Sequence, residues 1–314
     1  MSAQVVRDVI MIGAGPSALA AAIYTTREDI ETVLYEKAVV GGMAAITDKV
    51  DNYPGFPAGI EGMKLAADLQ AQAERFGAVI DYGDVSAIRD NGSTKIVTVD
   101  GKDVEARAVL IATGSDYNKI GVPGEAEYYG RGVHYCATCD GAFYRDKKLA
   151  VVGGGNSAIQ EAIFLTRYAS HIDLLVRSTV KASEILQRDL QEYIDSGKVT
   201  LHVGTTTDEI VATDGKVSGV KITKDATPAT LDIDGVFVFV GLSPNTEFLK
   251  DSPIELDEQG LIKTDAHLQT SIKGVFASGD VRSGATMQIA SAVGEGASAA
   301  LAIREYLADL KHAA

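Results

Sequence analysis

Two cysteines among 314 residues are too few for a secreted disulfide framework. No apolar run approaches the roughly 18–20 residues that span a bilayer. Met1 to Asp8 lacks the basic segment, apolar stretch and cleavage site of an export signal, so the expected location is the cytoplasm. Basic residues are in deficit as well: 29 Lys and Arg stand against 43 Asp and Glu, leaving a net charge of −14. With an isoelectric point near 4.8, the summed field repels phosphates, which argues against nucleic acid or an anionic membrane as the main partner. Low-complexity linkers and long charge runs are missing too. What remains is a folded chain, 23% charged and 46% apolar. At about 100–200 residues per domain, its length suggests two domains.

The chain repeats itself. Val9-Ile10-Met11-Ile12 is a short apolar run followed by Gly13-Ala14-Gly15-Pro16-Ser17-Ala18, then by an alanine-rich stretch, Leu19 to Arg27, that suits a helix. The pattern returns 140 residues later, where Leu149-Ala150-Val151-Val152 precedes Gly153-Gly154-Gly155-Asn156-Ser157-Ala158 and Ile159 to Arg167. A buried parallel strand, a glycine turn and a helix form the front of a dinucleotide-binding unit. The first glycine permits the tight turn, the second lets the backbone approach a pyrophosphate, and the small third residue lets helix pack on strand. The pyrophosphate then rests on free N–H groups at the helix N-terminus. One such turn is a weak signal, and a glycine turn that binds nothing is the plainer alternative. Two, each with its strand and helix, are a strong signal.

The second strands of the two copies differ. Thr32-Val33-Leu34-Tyr35 ends at Glu36, where an acid holds the hydroxyls of an adenosine ribose. The matching strand Ile172-Asp173-Leu174-Leu175 ends at Val176, with Arg177 next and Lys181 four residues on. A base in place of an acid is the change expected when a ribose 2′-phosphate replaces a hydroxyl. The first copy therefore reads as an FAD or NAD site and the second leans toward NADP; a solvated loop is the bland reading of Arg177 and Lys181.

Two further strand-like runs, Ala108–Ala112 leading to Thr113-Gly114, and Val236–Val240 leading to Gly241, bracket the second copy. The simplest topology is α/β, with two Rossmann-like, three-layer dinucleotide-binding domains, one inserted in the other. The outer domain would hold residues 1–117 plus 246–314, and the inserted one residues 118–245. Gly274-Val275-Phe276-Ala277 is the expected last strand of the outer domain and leads into Ser278-Gly279-Asp280. A helix near Ile289 to Leu307 closes the chain. Asp280 is placed either to accept a cofactor hydroxyl or to cap a helix.

Both cysteines lie in Cys136-Ala137-Thr138-Cys139-Asp140, inside the inserted segment. At this spacing one thiolate can attack a disulfide while its neighbour resolves the mixed disulfide. If the pair opens a helix, the helix dipole favours thiolate. A zinc site needs four ligands, and His134 is the only nearby addition; inert buried thiols are the other alternative. Asp140 reads as a proton donor or as a helix-opening acid.

At this point the sequence resembles the low-molecular-weight thioredoxin reductases over essentially its whole length. The matching stretches are Gly13-Ala14-Gly15-Pro16, Val50-Asp51-Asn52-Tyr53-Pro54-Gly55, Ala112-Thr113-Gly114, Cys136-Ala137-Thr138-Cys139-Asp140-Gly141, Gly153-Gly154-Gly155-Asn156, Ser243-Pro244-Asn245-Thr246 and Gly279-Asp280-Val281. The resemblance implies FAD at Gly13, Gly15, Pro16, Ser17, Glu36, Gly42, Met43, Asn52, Thr113, Gly114, Gly279, Asp280, Gln288 and Ile289. It implies NADPH at Gly153, Gly155, Asn156, Ser157, Arg177 and Lys181. Cys139 would face the flavin, Cys136 would attack the disulfide of a thioredoxin-like protein, and Asp140 would protonate the outgoing dithiol. Family members are homodimers paired largely through the FAD domains. Since nicotinamide and the cysteine pair both need the flavin, a rotation about the two chain crossings is expected to alternate them.

Three stretches depart from the family. Its His-Arg-Arg-x-x-x-Arg pattern for the 2′-phosphate is reduced to Arg177 and Lys181, its Gly-Gly-Gln is Gly41-Gly42-Met43, and its Tyr-Arg-Gln is Thr286-Met287-Gln288. The first departure makes reduced ferredoxin a rival donor. A flavoprotein redox sensor that switches without turnover is the alternative of a different class.

Overall fold

Parallel strands buried on both faces read as unbroken apolar runs, and Val9-Ile10-Met11-Ile12 lies in such a strand, Arg7–Ile12, at the centre of the first sheet. The computed structural model describes residues 6–47 and 49–313. Its contacts divide the chain into two units, Met1–Asp116 with Ser243–Ala314, and Tyr117–Leu242.

In the first unit Arg7–Ile12 runs parallel to Thr32–Glu36 on one side and Lys102–Ile111 on the other, and Val79–Tyr82 extends the sheet beyond Thr32–Glu36. The far edge of Lys102–Ile111 is shared between two partners. Lys102 to Ala106 pair antiparallel with Thr94–Val99, which pairs in turn with Val85–Asn91. Val109 to Ile111 pair in parallel with Val275–Ala277. Side chains alternate across the strand. Val9 and Met11 join the core under helices Pro16–Thr26, Gly62–Arg75 and Ile289–Ala313, while Ile10 and Ile12 join the opposite core with Val97, Ile262 and Val275. The last helix runs to Ala313 rather than stopping at Leu307. Leu310 still packs against the core there, and Lys311 and His312 suit a helix C-terminus.

The second unit repeats the plan. Its five parallel strands lie in the order Val133–His134, Gly235–Val238, Lys148–Val152, His171–Val176, Val199–Val203. Helices Asn156–Leu165 and Glu184–Asp195 cover one face. The antiparallel strands Thr205–Thr213, Lys216–Lys224 and Thr227–Asp232 cover the other. The run at Val236–Val240 is strand only to Val238. No helix among the described residues is long and apolar enough to cross a membrane.

Candidate functional site

The first glycine turn follows strand Arg7–Ile12. Gly13 has φ +97°, and a Cβ there would stand 2.6 Å from the Ala112 carbonyl oxygen, so only glycine fits. Gly15 is different: nothing lies within 4 Å of a Cβ built on it, and a Cβ on Gly42 would approach its Cα to 3.7 Å. Gly41 N–H donates to the Ala14 carbonyl at 2.8 Å and draws the second loop against the turn. Pro16 opens the following helix, whose first N–H groups face outward with no intrahelical acceptor. This open, backbone-lined floor fits the pyrophosphate of a dinucleotide.

Around it the remaining candidates of this unit are tied together. The Glu36 carboxylate, nearly buried, accepts Ala14 N–H and Ala38 N–H, each at 2.8 Å. Ser17 Oγ and Ser278 Oγ are 2.6 Å apart. Asn52 Nδ2 donates to Gln288 Oε1 at 3.0 Å, one residue before the helix that starts at Ile289. Met43 follows Gly42 and is half-buried. Thr113 Oγ1 donates to the Asn245 carbonyl at 2.8 Å, and Asn245 N–H to the Gly114 carbonyl at 3.0 Å. Asp280 is pushed up to about 6 by burial and, secondarily, by the charge of Glu295. Glu295 also accepts Gly279 N–H at 2.9 Å and pairs with Arg282 Nη2 at 2.6 Å, so it clamps the Gly279-Asp280 turn.

The second glycine turn has the same anatomy. Gly153 has φ +142°, and a Cβ there would meet the Phe239 carbonyl oxygen at 2.3 Å, whereas Gly155 has open space within 4 Å. Asn156 Oδ1 accepts Ser183 N–H at 2.8 Å, and Lys181 N–H donates to the Gly154 carbonyl at 2.6 Å. The loop carrying Arg177 and Lys181 is thereby fastened to the turn. Ser157, Arg177 and Lys181 are exposed, and neither cation forms an ion pair among the described residues.

In the same unit Cys136 and Cys139 form a disulfide, with Cα atoms 5.3 Å apart. Cys136 caps a single helical turn, Ala137–Asp140, that contains Cys139 and is followed by the 3₁₀ turn Gly141–Tyr144. One turn is too short for the dipole of a full helix to act on the sulfurs. Ala137 is buried with Ile159, Ala162 and Leu165, which seats the cysteine turn on the helix that the second glycine turn opens. Asp140 N–H donates to the Cys136 carbonyl at 3.2 Å. Its carboxylate reaches His134 Nδ1 at 3.0 Å, and His134 Nε2 meets Tyr144 Oη at 2.7 Å. No group of three or more His, Cys, Asp or Glu able to hold a metal occurs among the described residues. The sequence reading singled out neither Tyr144, Ser278, Arg282 nor Glu295, and it weighed His134 only as a metal ligand.

The model of the family described as pyridine nucleotide-disulphide oxidoreductase matches residues 7–296. The thioredoxin reductase of Bacillus subtilis (strain 168) is 40% identical over 314 residues, covering 99% of this chain and 98% of the relative. That of Listeria innocua is 41% identical over 315 residues, covering 99% and 97%. Among solved structures, the thioredoxin reductase of Streptococcus pyogenes MGAS5005 superposes with a TM-score of 0.92 at 39% identity, covering 98% of this chain and 100% of that one. Such relatives imply a flavin and a nicotinamide cofactor, which is what two dinucleotide turns and a cysteine couple are built to serve. The chain belongs to the pyridine nucleotide-disulphide oxidoreductase family.

Proposed function

We propose that this protein is an FAD-dependent thioredoxin reductase that passes electron pairs from NADPH through the Cys136–Cys139 couple to the disulfide of a thioredoxin-like protein. The observation that carries the reading is the Cys136–Cys139 disulfide seated, through Ala137, on the helix that begins at the second glycine turn. Residues 1–117 with 246–314 form the FAD-binding domain in this reading, and residues 118–245 the NADPH-binding domain. A bound flavin supplies a two-electron carrier able to couple a nicotinamide hydride to a dithiol.

The chain's own residues do the rest. Gly13, Gly15, Pro16, Ser17, Gly42, Met43, Thr113, Gly114 and Gly279 shape the FAD cradle; Glu36, Asn52, Asp280, Gln288 and Ile289 supply polar atoms and backbone around it. Gly153, Gly155, Asn156 and Ser157 receive the NADPH pyrophosphate, and Arg177 and Lys181 its 2′-phosphate. Cys139 is the sulfur on the flavin side. The Cys136 thiolate attacks the partner disulfide and forms a mixed disulfide; Cys139 thiolate then attacks Cys136 and expels the partner as a dithiol. Asp140 gives the proton that the outgoing sulfur needs. The protein is expected to work as a cytoplasmic homodimer.

One observation favours a second donor. In the stretch that matches the family's 2′-phosphate pattern the cations are Arg177 and Lys181, both exposed, so reduced ferredoxin is the alternative donor. Anaerobic mixing of the yellow protein with NADPH, NADH and reduced ferredoxin in parallel separates the donors. Cys139→Ser should keep FAD bound and abolish reduction of a thioredoxin-like protein; retained turnover would overturn the reading.

A further inference from the structure

Asp140, His134 and Tyr144 form a line of hydrogen bonds that no step above uses. We propose that His134 is the positioning residue of Asp140 and the route by which Asp140 recovers its proton, a role that rests on reading Asp140 as the proton donor to the cysteine couple. The imidazole is buried and held on every side. It occupies the short strand Val133–His134, paired with Gly235–Val238. Its ring stacks on Phe237 at 5.1 Å and meets the Tyr144 ring edge-on at 5.3 Å. Nδ1 is 3.0 Å from Asp140 Oδ2, and Nε2 is 2.7 Å from Tyr144 Oη.

Burial, then the charges of Asp140 and Asp234, push the Tyr144 hydroxyl above the ordinary tyrosine value, so it stays a phenol. In the tautomer with the imidazole proton on Nδ1, the phenol donates to Nε2 and Nδ1 donates to Asp140. The charged groups facing this cluster are Asp140 on the cysteine turn and Asp234 ahead of strand Gly235–Val238. Asp234 is itself held by Lys147 Nζ at 3.4 Å and Lys148 N–H at 2.9 Å.

The proton balance closes. When Cys139 thiolate attacks Cys136, the bond from Cys136 to the partner sulfur breaks, the Cys136–Cys139 bond forms and the outgoing sulfur needs a proton. Asp140 gives it and becomes a carboxylate. Nδ1 of His134 passes its proton to Oδ2, Nε2 takes the Tyr144 hydroxyl proton, and the hydroxyl takes one from water. One partner S–H bond forms and one water loses a proton. Loss of the Cys139 thiol proton, as that sulfur becomes the attacking thiolate of the next cycle, runs the line backwards and restores the tautomer.

The test uses the flavin-loaded enzyme and four variants: His134→Phe, His134→Gln, Tyr144→Phe and Asp140→Asn. Turnover with a thioredoxin-like protein is measured against pH beside ferricyanide reduction, which bypasses the cysteines. His134→Phe keeps the stack but no hydrogen bond, and His134→Gln keeps a donor but cannot relay a proton. Both should slow disulfide turnover at least about tenfold and move its pH profile, with flavin content and ferricyanide reduction within about twofold of the parent. Tyr144→Phe should fall between. Parent-like rates and pH profiles in both His134 variants, with Asp140→Asn inactive, would overturn the relay alone. A fully active Asp140→Asn would remove the reading of Asp140 and the relay with it.

Discussion

Glu36 Oε2 accepts Ala14 N–H at 2.8 Å, and Oε1 accepts Ala38 N–H at the same distance. The carboxylate thus ties the end of strand Thr32–Glu36 to the glycine turn while keeping lone pairs for a ligand hydroxyl. In the proposed function, structure and recognition meet in this one side chain. Glu36→Gln sets an amide NH2 against one of the two backbone donors. The apoprotein should lose about 1–3 kcal/mol of stability in thermal or urea unfolding. FAD affinity, followed by flavin fluorescence, should drop at least about tenfold. Unchanged unfolding together with unchanged flavin binding would refute the double role.

The four turn glycines should split into two classes. Gly13 and Gly153 have positive φ, and any Cβ there would run into a carbonyl oxygen, of Ala112 and Phe239 respectively. Gly13→Ala and Gly153→Ala should each cost about 2–4 kcal/mol of folding stability. Gly15 and Gly155 have ordinary backbone, at φ −75° and −90°, and nothing near a new methyl. Gly15→Ala and Gly155→Ala should therefore leave the melting temperature of the apoprotein within about 2 °C. The first should impair FAD uptake and the second NADPH binding, each by more than about tenfold. Ligand-free melts combined with separate titrations of the two cofactors read both effects.

Those glycines also show what a sequence discloses. Backbone sterics leave one residue type at Gly13 and Gly153, so the turns and the flanking strands stand in the sequence as a repeated pattern. The cysteine pair is legible for the same reason: its chemistry fixes its spacing. Pairings made by tertiary folding leave no such mark. Glu295 lies on the closing helix and Arg282 in a turn before it, and nothing local joins them. The line from Asp140 through His134 to Tyr144 depends on a two-residue strand docking beside Phe237. The expectation of a helix dipole at the cysteines was conditional on a helix, and the chain forms a single turn there, closed by Gly141–Tyr144.

Asp280 gives the apoprotein a pH signature. Its carboxyl is raised from 3.8 to about 6, by burial first and by Glu295 second. Between those values the folded state keeps a proton that the unfolded state has released, so this residue's contribution is fully present below pH 4 and is lost as pH rises through 6. The loss amounts to about 1–3 kcal/mol. Asp280→Asn stays neutral throughout. At pH 7.5 the variant apoprotein should be more stable than the parent by that amount, and the gap should narrow toward pH 5.3, still above the isoelectric point near 4.8. Urea unfolding across that range measures it; a gap independent of pH would show that Asp280 is ionised at all these values.

Arg177 and Lys181 offer the cleanest separation of recognition from folding. Both are exposed and neither forms an ion pair among the described residues, while the Lys181 backbone is fixed to Gly154 at 2.6 Å. Alanine at either position removes charge and little packing, so melting should not change. If the two cations receive the 2′-phosphate, each loses a charged hydrogen bond worth about 1.5–3 kcal/mol. NADPH affinity should then fall roughly ten- to a hundredfold, with NADH unaffected because it carries no such phosphate. Half-saturation of anaerobic flavin reduction by each nucleotide gives the two numbers. A ratio of NADPH to NADH affinity that survives the double substitution would take these residues out of nucleotide selection and shift the weight to ferredoxin as the donor.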